Sequence, residues 1–305
     1  MSISRQNLSI VIVTLKSEKV IHQCIKSISD EIPIIVVENS NNLQFKDDLE
    51  KKYRNVKCTL ASENLGMGSG NNLGIKLSTT DYVFLINPDV VLENNTIDEL
   101  IEASKNISDF AILSPMLEDL NYPNYEPIDH KENIKSESII KVKNVDGFAL
   151  IVNKKKVGEI LKINSESNNS YFDQNFFMYL ENTDLCKRII EGGGSILVAT
   201  KAKIKHLAGK AVDSKFENEI EFSRNWHWIW SKFYFNKKNF GIFKAIRVCI
   251  LTYISSVLKF SFYSIKETIF LTLALNECHE NDCGSEPKLE ETDLQATWLA
   301  RGAFR

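Results

Sequence analysis

Over residues 8–117 short apolar runs of strand length alternate with stretches whose apolar residues recur at helical spacing. LSIVIVT, IPIIVVEN, VKCTLAS, DYVFLIN and FAILSP read as strands, with helices near 17–29, 43–53, 70–78 and 94–105 between them. This alternation predicts an α/β chain with a mainly parallel sheet and helices on both faces. Ligands of such open sheets bind at the carboxyl ends of the strands. Here those ends are Thr14, Glu38-Asn39-Ser40, Asn64-Leu65-Gly66 and Asn87-Pro88-Asp89, which would meet along one edge.

Residues 118–143 are polar, with Pro123 and Pro127, and read as a long connection. A second block, 144–209, carries NVDGFALIV, a helix around Asn182 to Glu191, and SILVATKAKIKH. From Phe222 to Lys266 there are eight Lys or Arg and no Asp or Glu, with three of the four Trp. Lys244, Arg247, Lys259 and Lys266 fall within an arc of about 120° on an ideal helix, leaving apolar residues on much of the remainder. That pattern fits a helix lying in a membrane interface with Trp226, Trp228 and Trp230 as headgroup anchors, or one packed on the protein's own core. No stretch there reaches the ~18 apolar residues of a spanning helix. Residues 276–305 hold seven acids against three bases and no apolar period, so a tail without stable structure is expected.

Composition narrows the function classes. The 305 residues are 43% hydrophobic and 25% charged, which fits a folded chain and excludes one made mostly of membrane spans. A net charge of −3 argues against nucleic acid as partner. The six cysteines show no repeated CxxC spacing, and the first apolar run, Leu8 to Val13, is too short for a signal peptide. A reducing, cytoplasmic setting is expected.

Four segments could carry chemistry. NLGMGSGNNLGI places Gly66, Gly68 and Gly70 between a strand and a helix, where backbone N–H groups can approach a phosphate; a helix start packed tightly on the sheet explains them equally. Asn87-Pro88-Asp89 closes an apolar strand, so Asp89 is a candidate cation ligand, against the alternative of a plain turn. FFMYLENTDLCKR puts Glu181 and Asp184 at a helix start behind aromatics, where a carboxylate could take a proton from a hydroxyl or serve only the helix dipole. His206 ends the last apolar strand and could join Asp89 at a cation site.

In order, IVIVTLKS, VVENSNN, NLGMGSGNNLGI, YVFLINPDV, VDGFALIV, FFMYLENTDLCKR and KHLAGKAV resemble the motif series of family 2 glycosyltransferases, over roughly residues 8–240. The resemblance is to rhamnosyltransferase-like bacterial enzymes of O-antigen and related polysaccharide synthesis. It implies a GT-A, Rossmann-like fold, to which the pattern after Phe222 adds C-terminal amphipathic helices, and an inverting, metal-dependent transfer from a UDP- or dTDP-linked sugar, rhamnose among them. Thr14 and Glu38 would line the nucleobase and ribose pocket, and Asn64, Gly66, Asn72 and Gly74 the ribose and diphosphate region. Asn87 and Asp89 take the place of the DxD motif, with Asp89 and His206 holding Mg²⁺ or Mn²⁺, and Asp146 and Gly147 border the donor sugar.

Asn182 stands where many relatives carry the catalytic acid, so Glu181 is assigned as base with Asp184 in reserve. Leu15-Lys16 replaces the usual Tyr-Asn, and Glu38 the usual Asp, so altered nucleobase contacts are expected. The implied organisation is a nucleotide-sugar-binding half over 1–117, an acceptor and catalytic half over 118–215, a membrane-associating segment over 216–275 and the acidic tail. A lipid-linked or polysaccharide acceptor at the inner face of the plasma membrane is implied. A nucleotidyltransferase and an inactive sugar-nucleotide-binding protein are the alternatives; Thr14-Leu15-Lys16 lacks the glycines of the first.

Overall fold

A computed structural model describes residues 2–105, 107, 109–119, 122–128, 138–164, 169–207 and 217–258, the stretches 217–222 and 253–258 as backbone alone. The first half alternates as expected: β1 (Leu8–Thr14), α1 (Ile21–Lys26), β2 (Ile34–Glu38), α2 (Leu43–Lys52), β3 (Val56–Leu60), α3 (Gly66–Leu77) and β4 (Tyr82–Ile86). Then come β5 (Val90–Leu92), α4 (Thr96–Lys105), β6 (Ile112–Leu117), β7 (Tyr125–Pro127), β8 (Ile139–Val145), β9 (Ala149–Asn153) and α5 (Lys154–Leu161). The chain continues through α6 (Glu181–Glu191), β10 (Ile196–His206), α7 (Glu217–Phe240) and α8 (Ile242–Leu258).

One sheet runs in the order β3-β2-β1-β4-β9-β6-β10-β8-β7, with β5 on β10. The β3-β2-β1-β4 half is parallel, as the α/β alternation requires. Beyond it β9 is antiparallel to both β4 and β6, and so runs in the same direction as β8, which is antiparallel to β10. Alternate strand residues face opposite layers. Ile10, Ile12, Phe84 and Ile86 share a core with Ile21, Phe45, Leu49 and Leu100 of α1, α2 and α4. Val11, Val83 and Leu85 share one with Ile75, Val157, Leu185 and Ile189 of α3, α5 and α6.

Three expectations change. The helix after β1 begins at Ile21 rather than 17, because the Ser17 hydroxyl bonds the Leu15 carbonyl and Lys16 adopts φ 50°, so the chain turns first. The helix after β3 begins at Gly66, four residues early. The 118–143 connection contains β7 and the start of β8; its middle, 129–137, lies outside the described residues, as do 208–216 and everything from 259, including Lys259, Lys266 and the acidic tail.

The C-terminal segment is helical as expected, but α7 is anchored to the domain. Trp226 and Trp230 are buried, and the Trp230 indole donates to the Asn175 carbonyl at 3.3 Å. Neither is free to act as a headgroup anchor. The chain reverses at Gly241, and α8 packs back on α7 through Phe233, Ala245 and Cys249. Among the described residues no helix is long and apolar enough to cross a membrane.

Candidate active site

Asp89 leaves β4 just before β5, and β5 pairs antiparallel with the end of β10 so that Val90 faces His206. The Leu207 N–H then donates to the Asp89 carbonyl at 2.9 Å. This register carries the Asp89 carboxylate to 3.4 Å from the His206 Nε2. The Phe148 ring stacks on His206 at 4.2 Å and 16°, which fixes the imidazole plane. The two residues singled out as a cation pair are therefore together, despite their separation in the chain.

His206 lines a cleft of about 880 Å³ that also takes in Asn87, Asp146, Gly147, Glu181 and Asn182. Asp146 is held by its N–H on the Asn124 carbonyl at 2.9 Å. Burial raises its pKa, opposed by the Tyr122 hydroxyl and by His206. Gly147 faces Asn182, where a Cβ would lie 3.2 Å from the Asn182 Cβ. Glu181 opens α6, 8% exposed; its Oε2 has no hydrogen-bond partner among the described residues, and burial pushes its pKa up to about 7. A carboxyl near neutrality facing a cleft has the properties of a general base.

Asp184 is not at the cleft. It is fully buried, its Oδ2 accepts from Arg188 at 2.7 Å and from Lys238 at 2.9 Å, and it ties α6 to α7. A carboxylate committed to two cations behind the helix is not placed to take a substrate proton, so the reserve assignment is corrected. Asn182 donates to the Val145 carbonyl at 2.8 Å.

Several donor-site expectations are likewise redirected. Glu38 is wholly buried, one oxygen accepting from Thr14 and the other from the Ser40 hydroxyl and, at 2.8 Å, its N–H. It ties together the ends of β1 and β2 instead of facing a nucleobase, and Thr14 is buried with it. Gly74 brings α3 onto β1, where a Cβ would come within 2.3 Å of Val11. Asn72 holds both backbone groups of Phe172, at 2.8 and 2.9 Å. Gly66 has φ 72°, and a Cβ there would lie 2.2 Å from the Phe177 carbonyl. Its N–H donates to Asn64 at 3.1 Å and that of Met67 to Phe177 at 2.8 Å, so these two donors serve the fold and not a phosphate. Asn64 lines a separate polar recess between α3 and Gln174.

Sequence reasoning set aromatics before Glu181 but did not bring Tyr122 or Trp228 to the site. Tyr122, Tyr179 and Trp228 line it, and Trp228 meets the Tyr179 ring edge-on at 5.7 Å. Asn124 was also missed; its side chain accepts from the Leu117 N–H at 2.8 Å and so links the end of β6 to the Asp146 turn. The available signal was spacing in the Trp226-His227-Trp228-Ile229-Trp230 run, where Trp226 and Trp230, four apart, share a helix face that Trp228 cannot.

Residues 9–180 match the sequence model of the glycosyl transferase family 2. Curated relatives include the low-salt glycan biosynthesis hexosyltransferase Agl10 of Haloferax volcanii, 26% identical over 60% of this chain and 61% of the relative. The rhamnosyltransferase WbbL of Escherichia coli is 22% identical over 72% of this chain and 88% of its own. Among solved structures, GalNAc-T7 with UDP, GalNAc and Mn²⁺ aligns at TM-score 0.52 and 14% identity, over 72% of this chain and 51% of that one. TarS 1–349 of S. aureus aligns at 0.52 and 14%, over 98% and 89%. The chain thus spans less than two thirds of Agl10 and of GalNAc-T7. The structural likenesses establish the GT-A fold that the motif order implied.

Proposed function

The chain belongs to glycosyl transferase family 2, and from that membership and the cleft we propose that it is an inverting glycosyltransferase. It moves a hexose or deoxyhexose, rhamnose among them, from a UDP- or dTDP-sugar to a hydroxyl of a lipid-linked or polysaccharide acceptor. The observation that carries this reading is Glu181, a buried carboxyl with an unpartnered oxygen, opening on the cleft that holds His206 beside Asp89.

The Asp89–His206 pair fits a divalent cation, Mg²⁺ or Mn²⁺. A carboxylate and an imidazole, donor types that divalent cations take, lie 3.4 Å apart where His206 meets the cleft. Among the described residues no group of three or more His, Cys, Asp or Glu is arranged to hold a metal, so a cation at this pair would take its other ligands from substrate and water. A bound cation would supply positive charge to the departing diphosphate.

Glu181 accepts the proton of the acceptor hydroxyl as its oxygen bonds to the anomeric carbon and the sugar–phosphate bond breaks, inverting that carbon. No covalent enzyme intermediate is required. Asp146, flanking His206 and Tyr122, is placed to bind donor-sugar hydroxyls.

Membrane attachment follows from α8 rather than from the tryptophans. Phe243, Lys244, Arg247, Ile250 and Leu251 are exposed and share an arc of about 120° at 3.6 residues per turn. Apolar and cationic side chains on one free face suit the interface of an anionic bilayer, where lysine and arginine reach headgroups from between apolar anchors. A cytoplasmic enzyme held at the inner leaflet, where lipid-linked acceptors are presented, is the resulting reading.

The test is a thermal-shift screen of UDP, dTDP and their sugars with and without Mn²⁺, since a ligand that binds only the native state raises the melting temperature. A cation-dependent rise with at least one nucleotide sugar, lost in Asp89→Ala, is expected. No rise with any of them would reject the transferase.

A further inference from the structure

The cleft's aromatic side comes partly from α7, outside the 9–180 stretch that defines the family. Trp228 is 43% exposed there, although Trp226 and Trp230 on the same helix are buried. An indole left open to water beside a polar catalytic centre is the unusual arrangement, since large aromatics are ordinarily covered.

The lip that Trp228 meets is strained and tightly held. Tyr179 and Leu180, neither a glycine, adopt φ of 72° and 62° directly before Glu181. Left-handed backbone at two consecutive non-glycine residues persists only where the surroundings impose it, and such strain gathers at functional sites. The surroundings here are α7 and α3. The Ser231 hydroxyl donates to the Met178 carbonyl at 2.7 Å, the His227 ring stacks on Phe177 at 4.3 Å, and the Met67 N–H donates to the Phe177 carbonyl. His227 and Ser231 are one turn apart on α7 and bracket Trp228, so the contacts that fix the lip also aim the indole at it.

We propose that Trp228 and Tyr179 form the acceptor subsite, taking the apolar face of a pyranose ring of the acceptor saccharide. The inference rests on the transferase reading. The attacking hydroxyl must come within hydrogen-bond reach of Glu181, two residues after Tyr179, so the ring that bears it lies against this lip. The donor diphosphate belongs at the other end, beside Asp89 and His206. A pyranose offers axial C–H groups on one face and hydroxyls around its rim, which suits aromatic rings next to the carboxylates of Glu118 and Asp119 in the same cleft.

The experiment uses the full chain labelled with 5-fluorotryptophan, the Trp228 fluorine resonance being assigned by its loss in Trp228→Phe. With UDP or dTDP present, the protein is titrated with the methyl glycosides of glucose, galactose, N-acetylglucosamine and rhamnose. At least one glycoside is expected to shift the Trp228 resonance. Followed by ligand-observed NMR, its affinity should fall about tenfold or more in Trp228→Ala and largely persist in Trp228→Phe. The thermal shift given by the nucleoside diphosphate should be the same in all three proteins. Glycoside binding that is unchanged in Trp228→Ala, or nucleotide binding with no glycoside moving the Trp228 signal, would overturn the subsite and leave the transferase standing. Absence of nucleotide binding in the unsubstituted protein would overturn both.

Discussion

Glu181→Gln separates the energetic burden of the proposed base from its chemistry. Burial moves the Glu181 carboxyl from 4.5 to about 7, so the folded protein holds a proton there that the unfolded chain releases. Between those values the native state binds more protons than the unfolded state, and stability falls as pH rises. From pH 5 to pH 8 this one group costs the native state about 2–3 kcal/mol, since a tenfold change in proton activity is worth about 1.4 kcal/mol and titration is incomplete at each end. Glutamine keeps the shape and cannot titrate, so the variant escapes that loss. Its buried amide still lacks a partner, at about 1–3 kcal/mol, but that penalty is the same at every pH. Urea unfolding of both proteins at pH 5, 6, 7 and 8 should therefore show the variant gaining on the parent as pH rises, levelling above pH 7. Transfer should be lost in the variant, and in the parent kcat/KM should rise through pH 7 as the carboxyl ionises. Parallel stability profiles would refute the buried, unpaired state of Glu181, and near-normal turnover in the variant would remove it as base.

Three further outcomes follow from other contacts. Lys238→Met leaves Asp184, fully buried, with Arg188 alone and strips Asp173 of its 2.7 Å partner; a loss of about 3–5 kcal/mol by urea unfolding is expected. Gly66→Ala sets a Cβ against the Phe177 carbonyl at a φ that disfavours it, so it should destabilise by more than about 1 kcal/mol and reduce transfer through the displaced lip. Phe243→Ser with Ile250→Ser should abolish co-sedimentation with phosphatidylglycerol vesicles at low salt while leaving the melting temperature within a degree or two; unchanged sedimentation would dismiss α8 as the attachment face.

Much of the first half of the chain could be read because it is locally determined. Buried parallel strands are continuous apolar runs, and their polar ends mark the ligand edge, so β1 to β4 and Asp89 fell where the pattern placed them. His206 joined Asp89 as expected, although the three-residue β5 that brings them together is too short to have a period. The glycines were ambiguous in sequence, because a tight helix start and a phosphate cradle make the same demand for a bare Cα. Only the neighbours Val11 and Phe177 distinguish them. Glu38 and Asp184 were misassigned for a related reason: a carboxylate at a strand end or helix start reads alike whether it faces a cleft or a buried partner, and the partners Thr14 and Lys238 lie 24 and 54 residues away.

The tryptophans show why the remainder was illegible. Periodicity put Trp226, Trp228 and Trp230 in one basic, aromatic helix and offered two destinations, lipid or core. The structure sends two of them to the core and adds the cleft as a destination for the third. A helical residue advances 100°, so neighbours two apart differ by 200° and cannot all face one phase. Trp226 and Trp230, four apart, share the buried side, and Trp228 between them must point elsewhere. That deduction was available from spacing. What spacing could not supply is that the other direction holds Tyr179 and the route to Glu181, because that depends on α7 gripping residues 175–178 through Trp230, Ser231 and His227. The same helix thus carries the clamp on the catalytic lip and, through the reversal at Gly241, the exposed face of α8. The contacts that hold the lip before Glu181 and those that seat α8 are made by the same helix, α7.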